Sequence, residues 1–181
     1  NTYSWNVGQQ NLHIGSYAGQ ISQGNESIAL GFHSGQYSQG NTSVSIGSYS
    51  GYINQGNDSV AIGYQAGAGS QGGYSVAIGE QCGFVNQGYS TVAIGYQAAW
   101  NYQAGGSIAI GFQSGYQSQQ GSSIAIGLNS GKFNQSTESI AIGNLAGMNT
   151  QGLRTVAIGT ESGRSLQNQG SVAVGYRSGN G

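Results

Sequence analysis

Short apolar segments recur along the chain with a strict spacing. Each segment alternates aliphatic and small residues, as in the Ser-Val-Ala-Ile-Gly of residues 59–63, and close copies occupy residues 75–79 and 107–111. The glycine that ends the segment occurs eleven times, always sixteen residues apart, from Gly15 to Gly175. A period without insertion or deletion indicates that every unit occupies an equivalent place in a stack.

Several positions within the unit admit few residue types. Counted from the recurring glycine as position 0, positions −3 and −1 are always Val, Ile or Leu, and position −4 is Ser or Thr from Ser27 onward. Position −2 is small in every unit except the first, which has His13. Position +3 is always small, position +4 is Gly or Ala, and position +8 is Gln in all ten complete units. The other positions vary.

The apolar pattern within each unit has a period of two, which is typical of a β-strand rich in β-branched residues. Helix is disfavoured, because each of the glycines at positions 0 and +4 would cost about 1 kcal/mol relative to Ala. Glycines at +4, and often at +9, indicate two bends per unit. The pattern predicts an all-β parallel β-solenoid (β-roll) of about eleven coils with sixteen residues per coil.

Stacking coils about 4.8 Å apart would let the backbone of each coil hydrogen-bond to its neighbours, in a rod roughly 50 Å long. We expect one domain over residues 1–181. Residues 1–11 are predicted to form an N-terminal cap or partial coil, followed by the sixteen-residue repeats over 12–181.

Both faces of the repeated strand are restricted in composition. Alternation places positions −3 and −1 on one face and positions −4, −2 and 0 on the other. Either the aliphatic residues fill the coil, or the small residues fill it and two stripes of Val and Ile lie on the surface. In both cases we expect the strand to be covered on both sides, by sister chains or by a flat surface such as ice. The residues predicted to form this interface or flat face are Ser59, Ala61, Gly63, Ser75, Ala77, Gly79, Ser107, Ala109, Gly111, Ser123, Ala125 and Gly127.

The Gln at position +8 is predicted to be interior, where stacked side-chain amides can hydrogen-bond to one another. The variable positions then face outward and carry most of the aromatic residues. An uncharged surface rich in Tyr, Asn, Gln and Ser suits a glycan or a protein receptor, although Tyr also simply favours strands. The candidate exposed ligand contacts are Tyr49, Tyr64, Tyr96, Trp100, Phe112 and Tyr116.

Composition argues against several classes of function. Four Lys and Arg residues in 181 are too few to bind nucleic acid, and the formal net charge is −1. A single cysteine, Cys82, excludes a disulfide scaffold, and no apolar run approaches the roughly 20 residues of a membrane span. Glu26, Asp58 and Glu138 share position +11 but lie in coils that are not adjacent, and no cluster has metal-ligand spacing. We therefore expect no enzymatic activity, no cofactor and no metal.

The repeats resemble two groups of surface proteins. The sequence Asn-Gln-Gly-Asn-Asp-Ser-Val-Ala-Ile-Gly-Tyr-Gln-Ala-Gly at residues 54–67, with Ser-Ile-Ala-Ile-Gly at 139–143, is similar to the YadA-like head repeats of trimeric autotransporter adhesins. It is also similar to repeats in surface and fibre proteins of large DNA viruses and phages. The resemblance covers residues 12–179. It implies a left-handed parallel β-roll, trimerised along the repeated strand and displayed outside a cell or virion.

Two functions follow as hypotheses. The first is a rigid, non-enzymatic, extracellular attachment module, homotrimeric, that binds a surface glycan or protein receptor. The second is ice binding, because ice-nucleation proteins also resemble this chain in their sixteen-residue coils and several insect antifreeze proteins are flat β-solenoids. The orientation of the repeated strand discriminates between them. An exposed plane of Ser, Ala and Gly would favour ice, whereas burial of the strand against sister chains would favour attachment.

Overall fold

The chain folds as a parallel β-solenoid, as the sixteen-residue period predicts. The structure is a computed structural model, and it describes residues 11–179. Those residues form three-residue strands and no helix. The cap predicted over residues 1–11 therefore lies outside the described residues, except for Asn11. Consecutive coils contribute equivalent strands, and the described part of the chain makes about ten full turns.

One long sheet runs along the solenoid and contains the repeated strand of every coil. Its neighbours are paired in parallel with a shift of sixteen residues, so that Ile108 lies opposite Ile124 and Ala109 opposite Ala125. The sequence period therefore sets the register directly. The strands of this first sheet are β1 (Leu12–Ile14), β2 (Ile28–Leu30), β4 (Val44–Ile46), β6 (Val60–Ile62), β7 (Val76–Ile78), β9 (Val92–Ile94), β11 (Ile108–Ile110), β13 (Ile124–Ile126), β15 (Ile140–Ile142), β17 (Val156–Ile158) and β18 (Val172–Val174).

The opposite wall of the solenoid is formed by positions +6 to +8 and is less regular. It consists of one two-stranded and one five-stranded parallel sheet, and between them Gln71 makes only isolated bridges to Gln55 and Gln87. The chain there reads Gly69-Ser70, and glycine weakens a strand. The strands of this wall are β3 (Tyr37–Gln39), β5 (Ile53–Gln55), β8 (Val85–Gln87), β10 (Asn101–Gln103), β12 (Gln117–Gln119), β14 (Phe133–Gln135) and β16 (Asn149–Gln151).

The interior of the coil is filled by small residues and by Gln. The Ala or Ser at position −2, the Ser or Thr at position −4 and the small residue at +3 are buried along most of the solenoid, with Ala61 and Ser59 wholly inaccessible. Val60 and Ile62, on either side of Ala61, are only half-buried. The orientation that the sequence left open is thus settled: small residues face inward, and aliphatic residues face outward.

Close packing within and between coils explains the two most regular glycines. Gly111, at position 0, has φ +127°, and a Cβ there would lie 2.6 Å from the carbonyl oxygen of Gly127 in the next coil. Gly115, at position +4, has φ +53°, and a Cβ there would lie 2.6 Å from Oε1 of Gln119. Both positions combine a left-handed backbone with a close approach, which glycine alone accommodates without strain.

The Gln side chains at position +8 cross the coil rather than forming a continuous ladder. Gln119 Nε2 donates to the carbonyl oxygens of Ile108, at 2.7 Å, and Ser123, at 3.3 Å, on the opposite wall. Contacts between stacked amides occur only in some coils, such as Gln103 Nε2 to Gln119 Oε1 at 3.2 Å. The predicted burial of this Gln is confirmed from Gln39 to Gln167, but its main partners are backbone carbonyls.

The hydroxyl at position −4 closes the turn that precedes the repeated strand. Ser59 Oγ donates to the carbonyl oxygen of Gly56 at 2.6 Å, and Ser123 Oγ donates to that of Gln120 at 2.5 Å. This local bond satisfies a hydroxyl that the coil buries, since a buried polar group without a partner is costly. It accounts for the restriction of the position to Ser and Thr.

Candidate interaction surfaces

The outward face of the first sheet carries two parallel rows of aliphatic side chains. These residues, at positions −3 and −1 of every coil from Leu12 to Val174, are called here the aliphatic strip. Most are half-buried, because each packs between its equivalents sixteen residues before and after it. The last pair is more open, with Val172 70% and Val174 62% exposed. The strip is roughly 50 Å long and roughly 10 Å wide, from the spacings of stacked strands and alternate residues.

The residues predicted to form the interface or flat face occupy the other side of the same strands. The members of that set at positions −4 and −2 are Ser59, Ala61, Ser75, Ala77, Ser107, Ala109, Ser123 and Ala125, and all eight are wholly buried within the single chain. The glycines at position 0 (Gly63, Gly79, Gly111 and Gly127) are half-buried.

That assignment therefore needs correction. The coil is too thin to hold Val or Ile, so the small side chains fill it and cannot touch a sister chain or ice. The aliphatic strip is the surface that these strands offer to a partner. Its signal was already in the sequence, since positions −3 and −1 are aliphatic in all units.

A second surface combines three neighbouring rows of side chains at positions +1, +2 and +5, called here the aromatic face. Ring contacts connect the rows near the N-terminus. His33, at +2, is stacked between Tyr17 and Tyr49 with centroid distances of 4.8 and 4.9 Å. Tyr49 also meets the edge of Tyr52, at +5, at 5.3 Å. The ring centroid of Phe32, at +1, lies 5.5 Å from that of Tyr49.

The same rows continue through the middle of the solenoid. Trp100 and Tyr116, at +5, are stacked with centroids 5.2 Å apart and planes 9° apart. Tyr96 and Phe112, at +1, are stacked at 5.1 Å. Tyr64, also at +1, is 48% exposed. The structure thus brings all six candidate ligand contacts onto these three rows, and whether they bind a ligand stays a prediction.

A ladder of glutamine amides runs between the aromatic rows, and the sequence analysis missed it. Gln81, Gln97 and Gln113 each donate from Nε2 to Oε1 of the Gln one coil earlier, at 2.8–3.0 Å. Lys132 Nζ donates to Oε1 of Gln113 at 2.8 Å and ends the row. Each amide retains a second N–H. The available signal was Gln at position +2 in four consecutive coils.

Titratable groups in the described residues do not converge on a reactive centre. Burial raises the pKa of Cys82 to about 12, so the thiol stays protonated. The hydrogen bond from Arg177 lowers the pKa of Glu161, at an O···N distance of 3.0 Å, and Glu138 pairs with Arg154 at 2.7 Å. Within residues 11–179, no three His, Cys, Asp or Glu side chains are grouped closely enough to hold a metal ion.

The fold and its outward strip define the class of molecule: a thin parallel β-solenoid whose repeated strand leaves an aliphatic surface uncovered. Residues 55–81 match the family model of the YadA head domain repeat, in two copies. This match confirms the resemblance to YadA-like head repeats, and the likeness to viral and phage repeats stays a prediction. No curated protein and no solved structure matches the chain. A search of the described residues for a bilayer-spanning helix finds none.

Proposed function

We propose that this chain is a non-enzymatic attachment module displayed on an extracellular surface, and that it functions as a homotrimer joined through the aliphatic strip. The aromatic face then remains available for a surface glycan or a protein receptor. The match of residues 55–81 to an adhesin head repeat supports surface display and trimerisation. The observation that carries the proposal is the outward orientation of two aliphatic rows along the entire first sheet.

The size of the strip supports a second copy of the chain as its cover. Its roughly 500 Å² lies at the upper end of what soluble monomers expose in one apolar patch. A cover supplied by other copies of the chain removes this apolar surface from water, which favours association.

The ice-binding hypothesis lacks the exposed surface that it required. The hypothesis required an exposed plane of Ser, Ala and Gly, and the Ser and Ala side chains of that strand are inside the coil. The outward residues are aliphatic, and they lie on the strand along which the resemblance to adhesin heads implies trimerisation. The attachment function is therefore the better-supported hypothesis.

Sedimentation equilibrium tests the trimer, with a matched pair of variants. We expect the wild-type chain to have three times the mass of the 18.5 kDa monomer. Ile110→Lys places a charge in the middle of the strip and is expected to give monomers. Gln117→Lys adds the same charge at an exposed position of the opposite wall and is expected to remain trimeric. The proposal is contradicted if the wild type is monomeric or if the two variants have the same mass.

A further inference from the structure

A groove lies on a corner of the solenoid that belongs to neither the aliphatic strip nor the aromatic face. It has a volume of about 640 Å³ and is lined by positions +7 to +10 of successive coils between Ser38 and Gly105. This volume falls within the range of about 300–1,000 Å³ usual for small-molecule sites. The groove extends over several coils, so it is open along the axis of the rod.

An interruption of the repeat creates the groove. In the central coil the chain reads Gly69-Ser70-Gln71-Gly72-Gly73, and its residues at positions +6, +7 and +10 are smaller than their equivalents in the two flanking coils. Asn54 and Asn86, at position +7 of the coils on either side, adopt left-handed φ values of 50° and 52°. Ser70, between them, is not among the residues with positive φ. The lining side chains are therefore smallest at this coil, and an Asn lies on each side of it.

The chemistry of the groove is neutral and amphipathic. None of the residues that line it is charged. Tyr89 and Tyr102 contribute exposed rings, 67% and 47% accessible, and the Tyr89 ring lies against Gly73, where a Cβ would be 3.1 Å from Cε1. Among the described residues, the side chains of Asn54, Asn86, Tyr89 and Tyr102 make no hydrogen bond to protein, so their polar groups are free to bind a ligand.

Aromatic rings beside amide groups suit a ligand with both apolar C–H faces and hydroxyl groups. The absence of charge from the lining disfavours an anionic or cationic ligand, because a charge entering the groove would lose hydration without gaining a counter-charge. We propose that this groove is a binding site for a neutral saccharide, with Tyr89 and Tyr102 contacting the ring faces and Asn54 and Asn86 hydrogen-bonding the hydroxyl groups.

Saturation-transfer difference NMR on the full chain tests this site. The probes are the uncharged trisaccharides maltotriose, cellotriose and N,N′,N″-triacetylchitotriose, with a heparin oligosaccharide as the anionic comparison. We expect saturation transfer to at least one neutral probe and none to heparin. Tyr89→Ala and Tyr102→Ala should each weaken binding by roughly fivefold, the scale of one lost aromatic contact.

Tyr74→Ala is the matched control, because Tyr74 is as exposed as Tyr89, at 65%, but belongs neither to the groove lining nor to the aromatic face. Its binding should equal that of the wild type. Three results would contradict the proposed site: an equal loss of saccharide binding in all three variants, binding of heparin alone, or no binding of any neutral probe.

Measuring the mass of the same samples by sedimentation distinguishes a failure of the proposed groove from a failure of the proposed trimer. A monomer that binds through Tyr89 and Tyr102 contradicts only the trimer. A trimer that binds none of the neutral probes contradicts only the groove.

Discussion

Replacing Gly111 by Ala tests how closely the coils are stacked. Gly111 has φ +127°, and the added Cβ would lie 2.6 Å from the carbonyl oxygen of Gly127, 2.9 Å from its carbonyl carbon. The obstructing atoms belong to the backbone, so no side chain can rotate away. We therefore expect the substitution to strain its own coil and to push the next one outward.

The expected loss of stability has two contributions. Holding Ala in a backbone conformation suited to Gly costs about 1–3 kcal/mol. Restoring an ordinary contact needs a displacement of about 0.8 Å, which weakens the hydrogen bonds that join the coils, such as Gly127 N–H to the Ile110 carbonyl at 2.8 Å. Two such bonds contribute ~1–3 kcal/mol. The total of about 4 kcal/mol corresponds to a fall in Tm of ~8–16 °C for a chain of this length.

Thermal unfolding followed by circular dichroism measures this effect, and Gly175→Ala is the control. Gly175 occupies the same position of the last described coil with φ +115°, but a Cβ there meets no atom within 4 Å. It should show the conformational strain alone, with about half the effect on Tm. If Gly111→Ala and Gly175→Ala lower Tm equally, close stacking does not explain the glycine at position 0.

Three further predictions concern single side chains. Gln119→Leu removes two hydrogen bonds across the coil and the one that Gln119 accepts from Gln103. It should lower the free energy of unfolding in urea by ~1.5–4.5 kcal/mol, whereas Gln117→Leu on the surface should have little effect. Cys82, whose pKa is raised from 9.0 to about 12 by burial, should resist thiol reagents until the chain unfolds. Because the folded state holds this proton more tightly, stability should fall between pH 9 and 12 in the wild type and less so in Cys82→Ala. Arg177→Gln should raise the pKa of Glu161, measured by carboxyl NMR titration, because the hydrogen bond that lowers it is lost.

The architecture could be predicted from the sequence because its period is exact in every coil. A spacing of sixteen residues determines that Ile108 pairs with Ile124, without knowledge of any side-chain contact. The break in the opposite wall at Gly69-Ser70 follows from strand propensity, but the groove beside it depends on the neighbouring coils and could not be read from a single unit.

The orientation of the repeated strand could not be predicted, because both of its faces are restricted. Whether Val60 or Ala61 fills the coil depends on the distance between its two walls, which the pattern does not contain. Gln119 spans that distance, and its amide reaches the carbonyl oxygen of Ile108. The sequence identified this Gln as interior but not its partners.

The sequence also provides no indication that residues other than glycine adopt a left-handed backbone conformation. Position +2 has positive φ in residues as different as Tyr17, at 63°, and Leu145, at 58°, and such side chains carry no signal for that conformation. The turn they form brings positions +1, +2 and +5 together. The aromatic face is consequently visible only in three dimensions, even though its members were predicted individually.

Solvent accessibility of methyl groups tests the central claim most directly, using protein with labelled Ala and Ile methyls and a soluble paramagnetic probe in NMR. We predict that the Ala61 and Ala109 methyls are protected in both the wild type and Ile110→Lys. The methyls of Ile62 and Ile126 should be protected in the wild type by sister chains and become accessible in the variant. Accessible Ala methyls, or Ile methyls that stay protected in a monomer, would contradict a coil filled by small residues and covered along its aliphatic strip.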